Sequence, residues 1–323
     1  MSYPAKASKK FDYGSLITGT LKLVLKHRFL WFFGILAGGG TSLGGWSCNY
    51  QGDFGDESFE TDASFDYIED WVDAHIKLLI ALAIAAVVLS LLLWLWSIFC
   101  KGATVATVKD IIEEKPVNFR TAWSHGRQNF FRLLLFYLFL LLILLGVAFI
   151  AVALIVFLVF TAITLFSVTT IPGAAWLLII PLIVVAFIGL MAVSILFQII
   201  IILAMRAVVI DEKRPAAALK GAWRMMEFNF GRTLLIFLLS VALSFAGNII
   251  IAFALIIPII PTAIAWIAAV ATGMHPALII IASILSLLAL ACFTVALAAV
   301  NTYFAAYWTV TYIRLKEQEL LPA

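Results

Sequence analysis

The chain has 323 residues, 64% hydrophobic and 12% charged, with a formal net charge of +3 and a mean hydropathy of +1.12. Soluble domains carry roughly 45–50% apolar residues, so this composition excludes a soluble globular protein and predicts an all-α polytopic membrane protein. The small net charge conceals a segregation of sign: nine of the eighteen acids (Asp53, Asp56, Glu57, Glu60, Asp62, Asp66, Glu69, Asp70, Asp73) share one loop with no Lys or Arg.

Of the 21 basic residues, all but Lys77 lie before residue 29, within 101–132, within 206–232, or after 313. The positive-inside rule assigns those four segments and both termini to the cytoplasm and the acidic loop, 46–75, to the outside. Lys6, Lys9 and Lys10 are followed by no short apolar stretch with a small-residue cleavage site, which predicts a retained cytoplasmic tail.

In chain order, "SLITGTLKLVLKHR" sets Ile17, Leu21 and Val24 on one helical face, opposed by Lys22 and Lys26, and predicts an interfacial amphipathic helix. A first span is expected over 29–45. It is short, and Gly38, Gly39 and Gly40 each weaken a helix by roughly 1 kcal/mol against Ala. Gly34 with Gly38, and Gly40 with Gly44, have the GxxxG spacing that admits close helix approach. In the acidic loop, Phe65, Ile68 and Trp71 alternate with acids over 66–73, the pattern of a short surface helix. A second span, 76–100, returns to Lys101.

Residues 133–205 hold no Asp, Glu, Lys, Arg or His, and residues 233–313 hold only His275. Each run exceeds the roughly 20 residues that cross a bilayer and is flanked at both ends by basic segments, so each must contain an even number of spans. The expected pairs are 133–160 with 176–205, turning outside at "TTIPGA" (169–174), and 233–260 with 277–305, turning at "ATGMHPA". Six transmembrane helices in three hairpins result.

Two phrases a hundred residues apart carry the internal repeat. "AWSHGRQNFFR" at 122–132 and "AWRMMEFNFGR" at 222–232 share Ala122/Ala222, Trp123/Trp223, Asn129/Asn229, Phe130/Phe230 and Arg132/Arg232 in one register. Upstream, "EEKP" at 113–116 answers "DEKRP" at 211–215 with one inserted residue. The helical period gathers Phe119, Ala122, Trp123 and Phe130 on one face, and Leu219, Ala222, Trp223, Met226 and Phe230 on its counterpart. Each phrase therefore predicts an interfacial helix leading into a hairpin. The chain divides into parallel units 11–100, 108–205 and 208–313 within one membrane domain.

The candidate residues follow from this plan. Trp123 and Trp223 suit headgroup-level anchors, Asn129 and Asn229 accompany them, and Arg132 and Arg232 suit snorkelling to phosphate at the start of the next span. Topological anchoring accounts for all six; binding of an anionic lipid headgroup is the functional extension. The spans place no ionisable residue at mid-bilayer, where proton relays and ion paths need one. Among their polar residues Gln198, Asn248 and Asn301 are the candidates for a substrate path, although such groups commonly serve to bond helices together. Tyr303, Tyr307, Trp308 and Tyr312 read as an aromatic belt.

Catalytic and metal constellations are not predicted. His27, His75, His125 and His275 are scattered, Cys48, Cys100 and Cys292 make no paired framework, and the acidic loop lacks the alternating spacing of a calcium loop. "DFG" at 53–55 lies in an outer loop without kinase context. No cofactor and no nucleic-acid partner are expected.

"RAVVIDEKRP" followed by "ALKGAWRMMEFNFGRTLLIFLL", echoed at 119–139 and more faintly by "FDYGSLITGTLKLVLKHRFLW", resembles the membrane-domain family associated with glycerophosphodiester phosphodiesterases and related uncharacterised prokaryotic polytopic proteins. The resemblance covers roughly 101–260. It implies a multi-helix domain in a prokaryotic plasma membrane. Some members are fused to a soluble phosphodiesterase, but "HRF" at 27–29 lacks the His-Arg-Gly and acidic residues of that chemistry, so the activity is not expected here. The expectation is a non-enzymatic module that interacts with membrane lipids or organises other membrane proteins; the alternative is a transporter or channel for an apolar or amphipathic solute.

Overall fold

A computed structural model describes residues 12–37, 62–168, 176–273 and 275–319. Among these residues there are eight helices and no strand: α1 (Tyr13–Lys26), α2 (Leu30–Ala37), α3 (Asp62–Ile112), α4 (Phe119–Val168), α5 (Trp176–Ile210), α6 (Pro215–Phe228), α7 (Phe230–Ala271) and α8 (Pro276–Glu319). Five of them, α3, α4, α5, α7 and α8, contain segments long and apolar enough to cross a bilayer. The protein is an all-helical, multi-pass, membrane-embedded chain.

Five such segments lie among the described residues; the first expected span, 29–45, is described only as far as Ala37, over the eight residues or ~12 Å of α2. Residues 38–45 of the first expected span lie outside the described residues, as do Cys48, the acidic loop up to residue 61 and the turn at 169–174. The surface helix expected over 66–73 is part of α3, which is continuous from Asp62.

The long helices overrun the bilayer, and the overrun builds the core. At 51 residues α3 is ~76 Å long, and its stretch 75–94 is mostly exposed: Leu78 at 62% and Val87 at 67%. Such exposure suits helices whose solvent is lipid, because hydrocarbon tails satisfy a leucine as well as a protein interior does. Burial concentrates at the basic end, in Ile98–Val108 of α3, Ile199–Val209 of α5 and Phe304–Leu315 of α8, together with Leu133 and Phe136 of α4. The stretch from Lys101 to Ile112, expected to lie beyond the span, is thus helix and packing surface.

Polar ties fix the neighbours. Gly34 of α2 lies so close to α8 that a Cβ there would collide with Thr302 Oγ1 and the carbonyl of Ala298. At the same contact Asn301 Nδ2 donates to Gly34 O at 3.2 Å and Thr302 Oγ1 to Leu30 O at 3.3 Å. Arg314 of α8 donates to Asp12 O and Ser15 Oγ, holding the start of α1. His125 and Asp110 meet at 2.6 Å between α4 and α3. Tyr307 of α8 donates to Ile236 O of α7 at 3.1 Å.

The two copies of the repeat begin alike and then diverge. α3 ends at Ile112 and α5 at Ile210, and in each case the second residue beyond, Glu114 (φ 58°) or Glu212 (φ 57°), turns left-handed. The amide of the next residue then closes back on the helix, Lys115 N to Asp110 O and Lys213 N to Ala207 O. In the second copy a separate helix α6 follows, ending where Asn229 (φ −118°, ψ 36°) breaks it from α7. The first copy has no separate interfacial helix: α4 runs unbroken from Phe119 through the span. The sequences differ at the decisive place, since Phe131 of the first copy stands where the second has Gly231, and glycine weakens a helix by roughly 1 kcal/mol.

Candidate lipid groove at the basic end

The face of α6 that enters the bundle is lined by Ala218, Ala222, Met225 and Met226, all buried. Small side chains and flexible thioethers let the helix lie close on α5. Trp223 (55%), Phe228 (72%) and Phe230 (47%) point outward instead. The expected apolar face was therefore only half core, and its aromatic part faces the surroundings. In α1 the buried stripe is Leu16, Thr20, Leu23 and Val24, with Leu21 exposed, a similar rotation from the pattern expected.

The six expected anchors do not form one site. Trp123 packs in an aromatic group, 4.8 Å from the ring of Phe99 and 5.9 Å from that of Trp96, whereas Trp223 projects freely from α6. Asn129 Nδ2 donates to His125 O within α4, while Asn229 Nδ2 is buried at the α6–α7 break with no hydrogen-bond partner. Arg132 pairs with Glu212 at 2.9 Å, and Arg232 donates to Gln318 Oε1 at 2.9 Å. Both arginines are thus held by protein groups near the start of their spans.

The three intramembrane candidates are also apart. Asn301 is committed to Gly34, Asn248 is exposed on α7, and Gln198 is half-buried on α5.

What packing does create is a groove of about 570 Å³ between α4 and the start of α6. Leu135, Leu138, Leu142 and Leu145 of α4 line its length, and Arg214 and Pro215 close its basic end. Arg214 occupies the N-cap of α6 without a side-chain cap bond, Pro215 follows, and the first turn holds no acid. An uncapped helix start presents unpaired N–H groups and the positive end of the helix dipole.

Nearby acids are already engaged. Asp211 accepts from Lys316 at 2.6 Å and from Tyr312 at 2.8 Å, and pairs with Lys213 at 3.2 Å. Burial by itself would raise the Asp211 pKa, but the hydrogen bonds from Lys316, Tyr312 and Lys213 prevail and hold it below the usual carboxylate range. Hydrogen bonding from Arg132 likewise lowers that of Glu212. Arg214, one of the residues that line the groove, has no ion pair among the described residues. Sequence reasoning passed over Arg214 because it is the residue inserted between the two copies; its local signal is the Arg-Pro pair before an apolar helix.

Residues 19–314 match the model of a family of unknown function, DUF7544. No curated protein and no solved structure matches the chain.

Proposed function

The chain belongs to the DUF7544 family, and since that family brings no activity with it we propose, from the groove itself, that the protein is a membrane module that holds an anionic phospholipid at its basic end. One observation carries the reading: a long wall of exposed leucines ends at an unpaired arginine and an uncapped helix N-terminus. An acyl chain matches the first and a headgroup phosphate the second, because helix N-termini and arginine both favour phosphate oxygens. By the positive-inside rule this end faces the cytoplasm, where anionic lipids concentrate. Trp223 and Phe228, exposed on α6, and Phe230, exposed at the start of α7, suit a helix lying at that interface. The role is binding rather than catalysis, in keeping with the lipid-interacting module expected from the amphipathic phrases of the sequence.

Native mass spectrometry of the full chain, released from nanodiscs of mixed phosphatidylglycerol and phosphatidylethanolamine, tests the proposal. The wild type should retain phosphatidylglycerol. Arg214→Gln should lower that retention about fivefold, since a basic residue near an anionic surface contributes ~1 kcal/mol, and Leu142→Trp should abolish it by filling the groove. Equal retention by all three proteins would overturn the reading.

A further inference from the structure

Deeper in the bundle the structure buries two cations together. Arg206 of α5 is fully buried and Lys101 of α3 is 8% exposed. The tie from Lys109 Nζ to Ile210 O sets the register of α3 and α5. At 1.5 Å per residue, Arg206 then lies ~6 Å and Lys101 ~12 Å further toward the membrane than that tie. Both stand where the apolar spans meet the packed basic end.

Neither cation has an anionic partner among the described residues. Arg206 Nη1 donates to Ile202 O of its own helix at 2.8 Å, while Nε and Nη2 are buried without any partner. Lys101 Nζ stands 5.1 Å over the ring of Tyr137, whose hydroxyl donates to Met205 Sδ at 3.3 Å. Tyr137 thus links the two cations, its ring under the Lys101 ammonium and its hydroxyl on Met205, the residue before Arg206 in α5. A cation over an aromatic ring is worth only ~0.5–2 kcal/mol, well short of what the burial of two like charges demands.

The free groups specify what is missing. Nε and Nη2 form one edge of the guanidinium, the edge that grips two oxygens of a carboxylate or phosphate at once. The ammonium adds donors and no acceptor. A guest that only accepts hydrogen bonds and carries negative charge satisfies this arrangement, whereas a water would bring protons of its own. We propose that Arg206 and Lys101 form a buried site for one phosphate-class oxyanion, with the Nε–Nη2 edge of Arg206 as the bidentate clamp and Lys101, which keeps some exposure, at its entrance. The oxyanion comes either from a lipid headgroup or from free phosphate. The site is independent of the groove: Tyr137, its wall, points into the bundle, while the groove leucines of α4 face out.

The test uses the full chain, delipidated in a neutral detergent and carrying Leu142→Trp so that the filled groove contributes nothing. Thermal unfolding is followed against inorganic phosphate, against phosphatidylglycerol micelles, and against chloride at equal ionic strength. At about a hundredfold excess over its Kd the bound oxyanion should raise the midpoint by ~5 °C or more over chloride. A shift with inorganic phosphate identifies a free-anion site; a shift with phosphatidylglycerol alone identifies the headgroup. In either case the shift should vanish in Arg206→Gln and Lys101→Gln and survive in Lys101→Arg. The Lys101 pair carries the comparison should Arg206→Gln fail to fold. No shift beyond chloride with either ligand, or a shift undiminished by Lys101→Gln, overturns the site.

Discussion

Glu114 and Glu212 adopt the same left-handed backbone at equivalent points of the repeat, φ 58° and 57°. For a residue with a Cβ that conformation costs roughly 1–2 kcal/mol, which glycine avoids. Glu212 repays the conformation by pairing with Arg132, whereas Glu114 is in no ion pair among the described residues. Glu114→Gly should therefore raise the stability of the detergent-solubilised protein by about 0.5–1 kcal/mol in chemical unfolding. A loss of stability would show that the side chain has a role the turn geometry does not reveal. The "EEKP" and "DEKRP" match made this shared turn legible in the sequence, since helix ends are set by local chemistry. Arg206 and Lys101 were not legible in the same way: a cation at the edge of an apolar run ordinarily snorkels outward, and only the packing of α3, α4 and α5 around them shows that these two do not.

Among the elements, α2 is held by backbone proximity and α6 by charge. Gly34→Ala would drive a methyl group into Thr302 and Ala298 of α8, and overpacking of this kind costs roughly 1–3 kcal/mol. The thermal midpoint should fall, and the hydrogen bonds of Asn301 and Thr302 to α2 should be strained with it; an unchanged midpoint would mean that α2 is not seated on α8 as described. The GxxxG pattern anticipated a close approach at Gly34 but not its partner. Asn301 is a strut of that contact.

Asp211 tethers the link before α6 to Lys316 and Tyr312 of α8. Asp211→Asn should cost about 1–2 kcal/mol at neutral pH, a charged hydrogen bond reduced by the solvent that reaches both lysines. Because the folded carboxylate has a depressed pKa, its contribution is fully present above the ordinary value of about 3.9 and is lost as the pH falls below that through the folded value. The gap between the unfolding curves of wild type and Asp211→Asn should thus be full at pH 7 and shrink once the pH falls below about 3.9. A gap that does not shrink below that pH would assign the effect to something other than the carboxylate. Asn129 and Asn229 are common to both copies, so the fusion of the expected first-copy helix into α4 goes with Phe131, where Gly231 stands beside the break in the second copy.

For the whole molecule, composition was enough to read a helical membrane protein, because no other chemistry tolerates uncharged runs of that length. The distribution of burial was not readable. Periodicity shows which faces are apolar but not whether protein covers them, and among the described residues the middle of α3 and most of α7 are exposed while the basic ends pack together. The groove belongs to that second kind of fact, since it exists only where the start of α6 comes against the leucines of α4. An experimental structure of the protein in phosphatidylglycerol nanodiscs tests its assignment most directly. The account predicts acyl-chain density along Leu135 to Leu145 with a headgroup phosphate at Arg214 and the first turn of α6; a groove closed by protein side chains, with lipid density only elsewhere, would contradict it.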